Sequence, residues 1–128
     1  MRIPPGFNSV TPYFFVECAD RFIDFLVQGL GGVELVRHMN GDRIANAQVQ
    51  LGTSTVMVSE ATTAFPAMFA SYYLYVENAD TALQKAIGAG GSTVMEVANM
   101  PYGDRQGGVR DPFGNLWWLS ERLIDGPY

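Results

Sequence analysis

The amino-acid sequence predicts an α+β fold made of two tandem βαβββ modules. Three observations lead there: one set of landmarks occurs twice in the same order, strand-like and helix-like periodicities alternate alike in the two halves, and glycine turns fall at matching places. Tyr13-Phe14-Phe15-Val16-Glu17-Cys18-Ala19-Asp20 returns as Tyr73-Leu74-Tyr75-Val76-Glu77-Asn78-Ala79-Asp80, an offset of 60. Gly31-Gly32 returns as Gly90-Gly91, Gly41-Asp42-Arg43 as Gly103-Asp104-Arg105, Gly52 as Gly114, and Ser59-Glu60 as Ser120-Glu121. The order never breaks, which chance agreement of single glycine pairs would not produce.

The elements follow in turn. Val10 to Glu17 is strand-length and rich in β-branched and aromatic residues. A helix starts at Asp20 or its neighbours, with Phe22, Ile23, Leu26, Val27 and Leu30 at helical spacing until Gly31-Gly32 stops it. Val33 to Met39 is a second strand, Asn40-Gly41 a hairpin turn, and Ile44 to Leu51 with Ser54 to Ser59 complete a meander about Gly52. In the second half, Tyr72 to Val76 is a strand. A helix follows from Ala79 to Ala89, with Ala82, Leu83, Ala86 and Ile87 on one face. Thr93 to Val97, Val109 with its neighbours, and Leu116 to Leu119 supply the last strands, and Asp111-Pro112-Phe113-Gly114 is the final turn. Ala61 to Phe69 joins the modules without a long polar linker, and one helix covers only one face of a sheet, so the halves are expected to pack together.

Composition bounds the function. The 128 residues suit one domain spanning 1–128, with modules at about 9–60 and about 70–122. Hydrophobic residues at 48% and aromatics at 12% support a buried core and exclude a disordered or collagen-like chain. Eight Lys plus Arg against thirteen Asp plus Glu leave a net charge of −5, the wrong sign for tracking phosphates, so nucleic acid is not an expected partner. The apolar stretches are strand-sized, so no membrane partner is expected either. One cysteine and no basic-then-apolar leader before Pro4-Pro5-Gly6 point to a cytoplasmic protein.

Two βαβββ modules, with a last strand entered through Asp111-Pro112-Phe113-Gly114 and continued by Asn115-Leu116-Trp117-Trp118, resemble the vicinal oxygen chelate superfamily of glyoxalases, extradiol dioxygenases and bleomycin resistance proteins. The likeness covers residues 9 to 122, and Tyr102 through Gly114 resembles its PhnB-like or glyoxalase-like branch. It implies curved mixed sheets that form an open barrel with helices outside, a concave ligand cavity, and a homodimer. Enzymes of the superfamily hold a divalent metal through His, Gln or Glu side chains, two from each module. Matching the modules puts those positions at Thr11, Ser71, near Val58 and at Trp118, and two further histidine positions of the branch at Asn46 and Asn115. None suits zinc or a harder octahedral ion, so no metal or other cofactor is expected. Another register of the fourth strand offers Glu60. With Gln48, Gln50 or Asp104 it would serve the alternative, a glyoxalase-like metal-dependent lyase or isomerase.

Other chemistry-bearing residues read plainly. His38 beside Arg37 is a surface histidine near a hairpin end, Cys18 a buried inert thiol, and Gly103 to Gly108 an irregular hairpin that lacks the lysine and helix of a phosphate loop. No second base is present to organise a catalytic triad. If the superfamily's ligand positions face inward, period-2 alternation puts Thr11, Tyr13 and Phe15 inside from one strand, Ser71, Tyr73 and Tyr75 from its repeat, and Trp118 from the last strand. Phe14, Val16, Tyr72, Leu74, Val76, Trp117 and Leu119 then pack under the helices. Tyr13, Phe15, Tyr73, Tyr75, Arg105 and Trp118 are accordingly the expected ligand-binding residues. The expected function is metal-free binding of an aromatic or cationic small molecule, as in bleomycin resistance proteins.

Overall fold

Strands and helices alternate as β1 (Tyr13–Val16), α1 (Ala19–Gln28), β2 (Val33–Asn40), β3 (Arg43–Leu51), β4 (Ser54–Glu60), β5 (Ser71–Tyr75), α2 (Ala79–Gly88), β6 (Ser92–Asn99), β7 (Asp104–Arg110) and β8 (Leu116–Arg122) in the computed structural model, which describes residues 1–128. The chain divides into two compact units, Met1–Phe69 and Ala70–Tyr128, each one βαβββ module. Each sheet is mixed, curved and open, with order β1-β4-β3-β2 in the first unit and β5-β8-β7-β6 in the second. The α+β class and the repeat are therefore as the sequence predicts.

In each unit a short first strand lies parallel to the last, and the helix with the two middle strands makes the long connection that parallel pairing requires. Phe14 and Val16, both 2% exposed, turn to α1, where Phe14 meets Phe22 and where Ile23, Leu26, Val49 and Val58 are likewise buried. Phe25, also buried, joins this face, while Val27 and Leu30 are only half-buried. In the second unit Trp117, Leu119 and Val109 lie buried with Leu83 and Ala86 of α2, and Tyr72 stacks on Trp117 at 5.0 Å. Ile87 does not join them: it is 40% exposed, because α2 turns Leu83 and Ala86 to its sheet.

Three expectations need correction. β1 begins at Tyr13 rather than Val10, since Pro12 has no N–H for the ladder and contributes only its carbonyl, to Met57 N at 3.0 Å. α1 ends at Gln28, two residues before Leu30, with Gly29 as its C-cap. Cys18 is exposed, not buried. It is the N-cap of α1 in the left-handed region (φ +58°), so the side-chain alternation of β1 does not reach it. Gly103 to Gly108 is part of an irregular hairpin, as expected: Gly103 lies in the turn, and β6 and β7 pair antiparallel with two register shifts, although Asp104 onward is the regular strand β7. Its glycines serve packing: a Cβ on Gly107 would lie 2.8 Å from Val97 Cγ2, and one on Gly108 2.8 Å from the ring of Trp118. His38 is exposed on β2 opposite Asn46, as expected.

Candidate functional site

Parallel pairing fixes which side chains share the face turned away from each helix. In the first unit, β1 pairs Tyr13 with Met57 and Phe15 with Ser59, so these four stand opposite Phe14, Val16 and Val58. Tyr13 and Phe15 stack at 4.8 Å with 13° between their planes, and Phe15 stacks on Phe65 at 5.6 Å and 19°. The result is a ladder of three rings beside a pocket of about 360 Å³, also lined by Ile44, Arg43 and Glu60. The base of the ladder is hydrogen-bonded in one direction. Asn46 Nδ2 donates to Tyr13 Oη (3.2 Å), Tyr13 donates to Ser59 Oγ (2.7 Å), and Ser59 donates to the carbonyl of Ala45 (2.7 Å).

Phe65 escapes a pattern-based reading because it belongs to no element. Thr62 Oγ1 accepts from Phe65 N at 2.9 Å, Thr62 N bonds the Phe65 carbonyl, and Met68 N returns to the Phe15 carbonyl at 3.1 Å, which lays the connecting segment along β1. Thr62 followed three residues later by Phe65-Pro66 is the signal that could have found it: the hydroxyl closes the turn, and proline confines its predecessor to extended backbone.

In the second unit, Tyr73 pairs with Trp118 and Tyr75 with Ser120, and the Tyr73 and Tyr75 rings lie 5.4 Å apart at 60°. Trp118 Nε1 donates to Ser71 Oγ at 2.7 Å. The centre of this face is polar. Asp104, fully buried, accepts at Oδ2 from Tyr73 Oη (2.6 Å) and Tyr128 Oη (2.7 Å), and at Oδ1 from Arg122 Nη1 (2.9 Å). Beside it Gln106 Nε2 donates to Ser120 Oγ at 2.7 Å, and Tyr102 donates to Gln106. Arg105 is not brought to this face. It alternates with Asp104 toward α2, where its guanidinium grips both oxygens of Asp80 at 2.8 and 3.0 Å. The cation of the face is Arg122, which the sequence reading passed over although it stands directly across the ladder from Asp104.

The charges here couple to pH. Burial raises the Asp104 carboxyl, but the hydrogen bonds from Tyr73, Arg122 and Tyr128 outweigh it and hold the group below its ordinary value. Burial and the bond to Asp104 raise the Tyr73 phenol in turn. A carboxyl lowered on folding stabilises the fold above its unfolded pKa of about 3.9 and loses that contribution as pH falls through the lowered native value. Asp104→Asn is therefore expected to be less stable at neutral pH and to lose less stability between neutral pH and pH 3. Melts of the two proteins at neutral pH and at pH 3 test this, and an equal or larger acid loss in Asp104→Asn would refute it.

A divalent metal of the kind the superfamily binds does not fit either unit. Val58 is buried against α1, so the position matching Trp118 is Met57, and the pairs offered are Thr11 with Met57 and Ser71 with Trp118. Glu60 accepts at Oε2 from Cys18 N and at Oε1 from Ala19 N, each at 3.0 Å, which ties its carboxylate to the start of α1. Asn115 turns its Oδ1 to Ala70 N at 3.1 Å. No three His, Cys, Asp or Glu side chains gather as a metal would need. No helix is long and apolar enough to cross a membrane.

Residues 6–119 match the family model of the Glyoxalase/Bleomycin resistance protein/Dioxygenase superfamily. An uncharacterized protein of Mycobacterium bovis is 29% identical over 88% of this chain and 82% of its own length. Among solved structures, TioX from Micromonospora sp. ML1 superposes with a TM-score of 0.73 at 23% identity, covering 94% of this chain and all of that one. TnmS3, an antibiotic-binding protein from Streptomyces sp. CB03234, superposes with a TM-score of 0.69 at 20% identity over 90% of this chain and 97% of its own. With nearly its whole length inside the family model and the tandem βαβββ fold in place, the chain belongs to the Glyoxalase/Bleomycin resistance protein/Dioxygenase superfamily.

Proposed function

We propose that the protein binds a flat aromatic small molecule, favoured when cationic, without a metal, and that it acts by sequestration as drug-binding members of the superfamily do. The observation that carries this reading is the exposed ladder of Tyr13, Phe15 and Phe65 beside a pocket of about 360 Å³. Three near-parallel rings, with Phe65 60% and Tyr13 41% exposed, offer stacking faces that a chain hiding its rings as core would not leave open. Tyr73, Tyr75 and Trp118 are the corresponding residues of the second unit, and a homodimer is part of the proposal. The antibiotic-binding description of TnmS3 supports small-molecule binding on this fold, and the net charge of −5 supports the preference for cations.

Fluorescence titration with ethidium, a flat aromatic cation, tests the reading. Saturable binding is expected, weakened by added salt because part of the attraction is long-range. Phe15→Ala removes the middle rung and is expected to weaken binding roughly tenfold, the worth of about one good aromatic contact with its burial. Absence of saturable binding, or an affinity indifferent to Phe15→Ala, would sink it.

A further inference from the structure

Tyr128 occupies the polar face of the second unit in the manner of a ligand. Its hydroxyl donates to Asp104 Oδ2 (2.7 Å) and accepts from Tyr75 Oη (2.6 Å). Its ring lies 4.3 Å from the Arg122 guanidinium and meets Tyr102 edge-on at 6.2 Å. Tyr128 nevertheless stays 68% exposed as a residue, whereas Asp104, which its hydroxyl reaches, is fully buried. The segment that carries it, 123–128, has no regular structure, and Arg122 Nη2 steadies it through the carbonyls of Gly126 (3.0 Å) and Pro127 (3.2 Å). Without Tyr128, Asp104 would keep Tyr73 and Arg122 as partners, so the acceptor is already positioned before any ring arrives.

We propose that the face formed by Asp104, Tyr75, Tyr102 and Arg122 is a binding site for a neutral phenol, and that Tyr128 fills it as a displaceable stand-in for that ligand. The chemistry selects the class. A buried carboxylate accepts an O–H and repels a phenolate or carboxylate. The guanidinium beneath favours an electron-rich ring, and Tyr75 supplies the one donor that a phenol oxygen can still accept. Nothing in this depends on the aromatic ladder of residues 1–69, so Phe15→Ala leaves it intact and the two readings fail separately.

The test is calorimetric titration of 4-methylphenol, with toluene as the ring lacking the hydroxyl, into the unsubstituted protein, Tyr128→Ala and Tyr128→Phe. A site occupied by its own side chain binds an added ligand in proportion to the fraction left open, so Tyr128→Ala is expected to bind 4-methylphenol at least roughly tenfold more tightly than the unsubstituted protein. Tyr128→Phe keeps the ring but loses the hydroxyl that reaches Asp104, and is expected to fall between them. Toluene is expected to bind every form at least roughly tenfold more weakly, since it leaves the carboxylate without its donor. Should Tyr128→Ala fail to fold, Tyr128→Phe against the unsubstituted protein decides alone. Equal affinity across the proteins, no preference for the hydroxyl, or no binding up to the solubility of 4-methylphenol would each overturn the proposal.

Discussion

Asp111→Ala is expected to destabilise the protein by about 3 kcal/mol, because it strips one acceptor from three donors around a buried turn. Asp111 is 3% exposed, and its Oδ1 accepts from Phe113 N (2.8 Å) and Asn115 N (3.0 Å) while Oδ2 accepts from Trp117 Nε1 (2.8 Å). Bonds to an ionised carboxylate are among the stronger neutral-donor contacts, and two of these donors lie where water cannot replace the lost partner. The turn they define sets where β8 begins, and the start of β8 decides that Trp117 faces α2 while Trp118 and Ser120 face the other way. Asp111→Asn retains one acceptor oxygen and is expected to lose less. Urea unfolding followed by tryptophan fluorescence measures both, and a loss under about 1 kcal/mol for the alanine variant would mean that the turn holds its shape without the carboxylate.

The repeat was legible because a duplicated module writes its turns twice. Gly41 and Gly103, matched by sequence alone, both take the left-handed conformation their turns require (φ +66° and +89°). Alternation likewise sorted Phe14 and Val16 from Tyr13 and Phe15, since a strand with one buried face admits only one phase. The sites were less legible. Arg105 was expected at the ligand, yet it lies on a strand whose alternation points it at Asp80. Asp104, Arg122 and Tyr128 form one network from positions 18 and 24 residues away from Asp104, and no local pattern encodes a cross-strand pair or a segment folding back on its own sheet. Phe65 was hidden for the related reason that its role is set by a turn rather than by a period.

Glu60, with Gln48, Gln50 or Asp104, kept a metal-dependent lyase or isomerase in view, and its place in the fold assigns it another task. Cys18, the N-cap of α1, makes no side-chain hydrogen bond to the helix, and the N–H groups of Cys18 and Ala19 instead donate to Glu60 at the end of the neighbouring strand β4. The carboxylate also sits against the positive end of the helix dipole. Glu60→Ala is therefore expected to cost about 1–2 kcal/mol. The repeat supplies an internal control. Glu121 accepts from Ala79 N at 2.9 Å in the same way, but α2 also has Asn78, whose Oδ1 caps Thr81 N at 3.0 Å. Glu121→Ala should thus cost less, about 0.5–1 kcal/mol, because one of its helix's caps remains. Elemental analysis after incubation with zinc, nickel, manganese and cobalt then separates cap from ligand. A cap predicts the same near-zero retention in the unsubstituted protein and in Glu60→Gln, together with a stability loss in the variant. Stoichiometric metal that disappears in Glu60→Gln would return the residue to a metal centre and the protein to the enzymes of its superfamily.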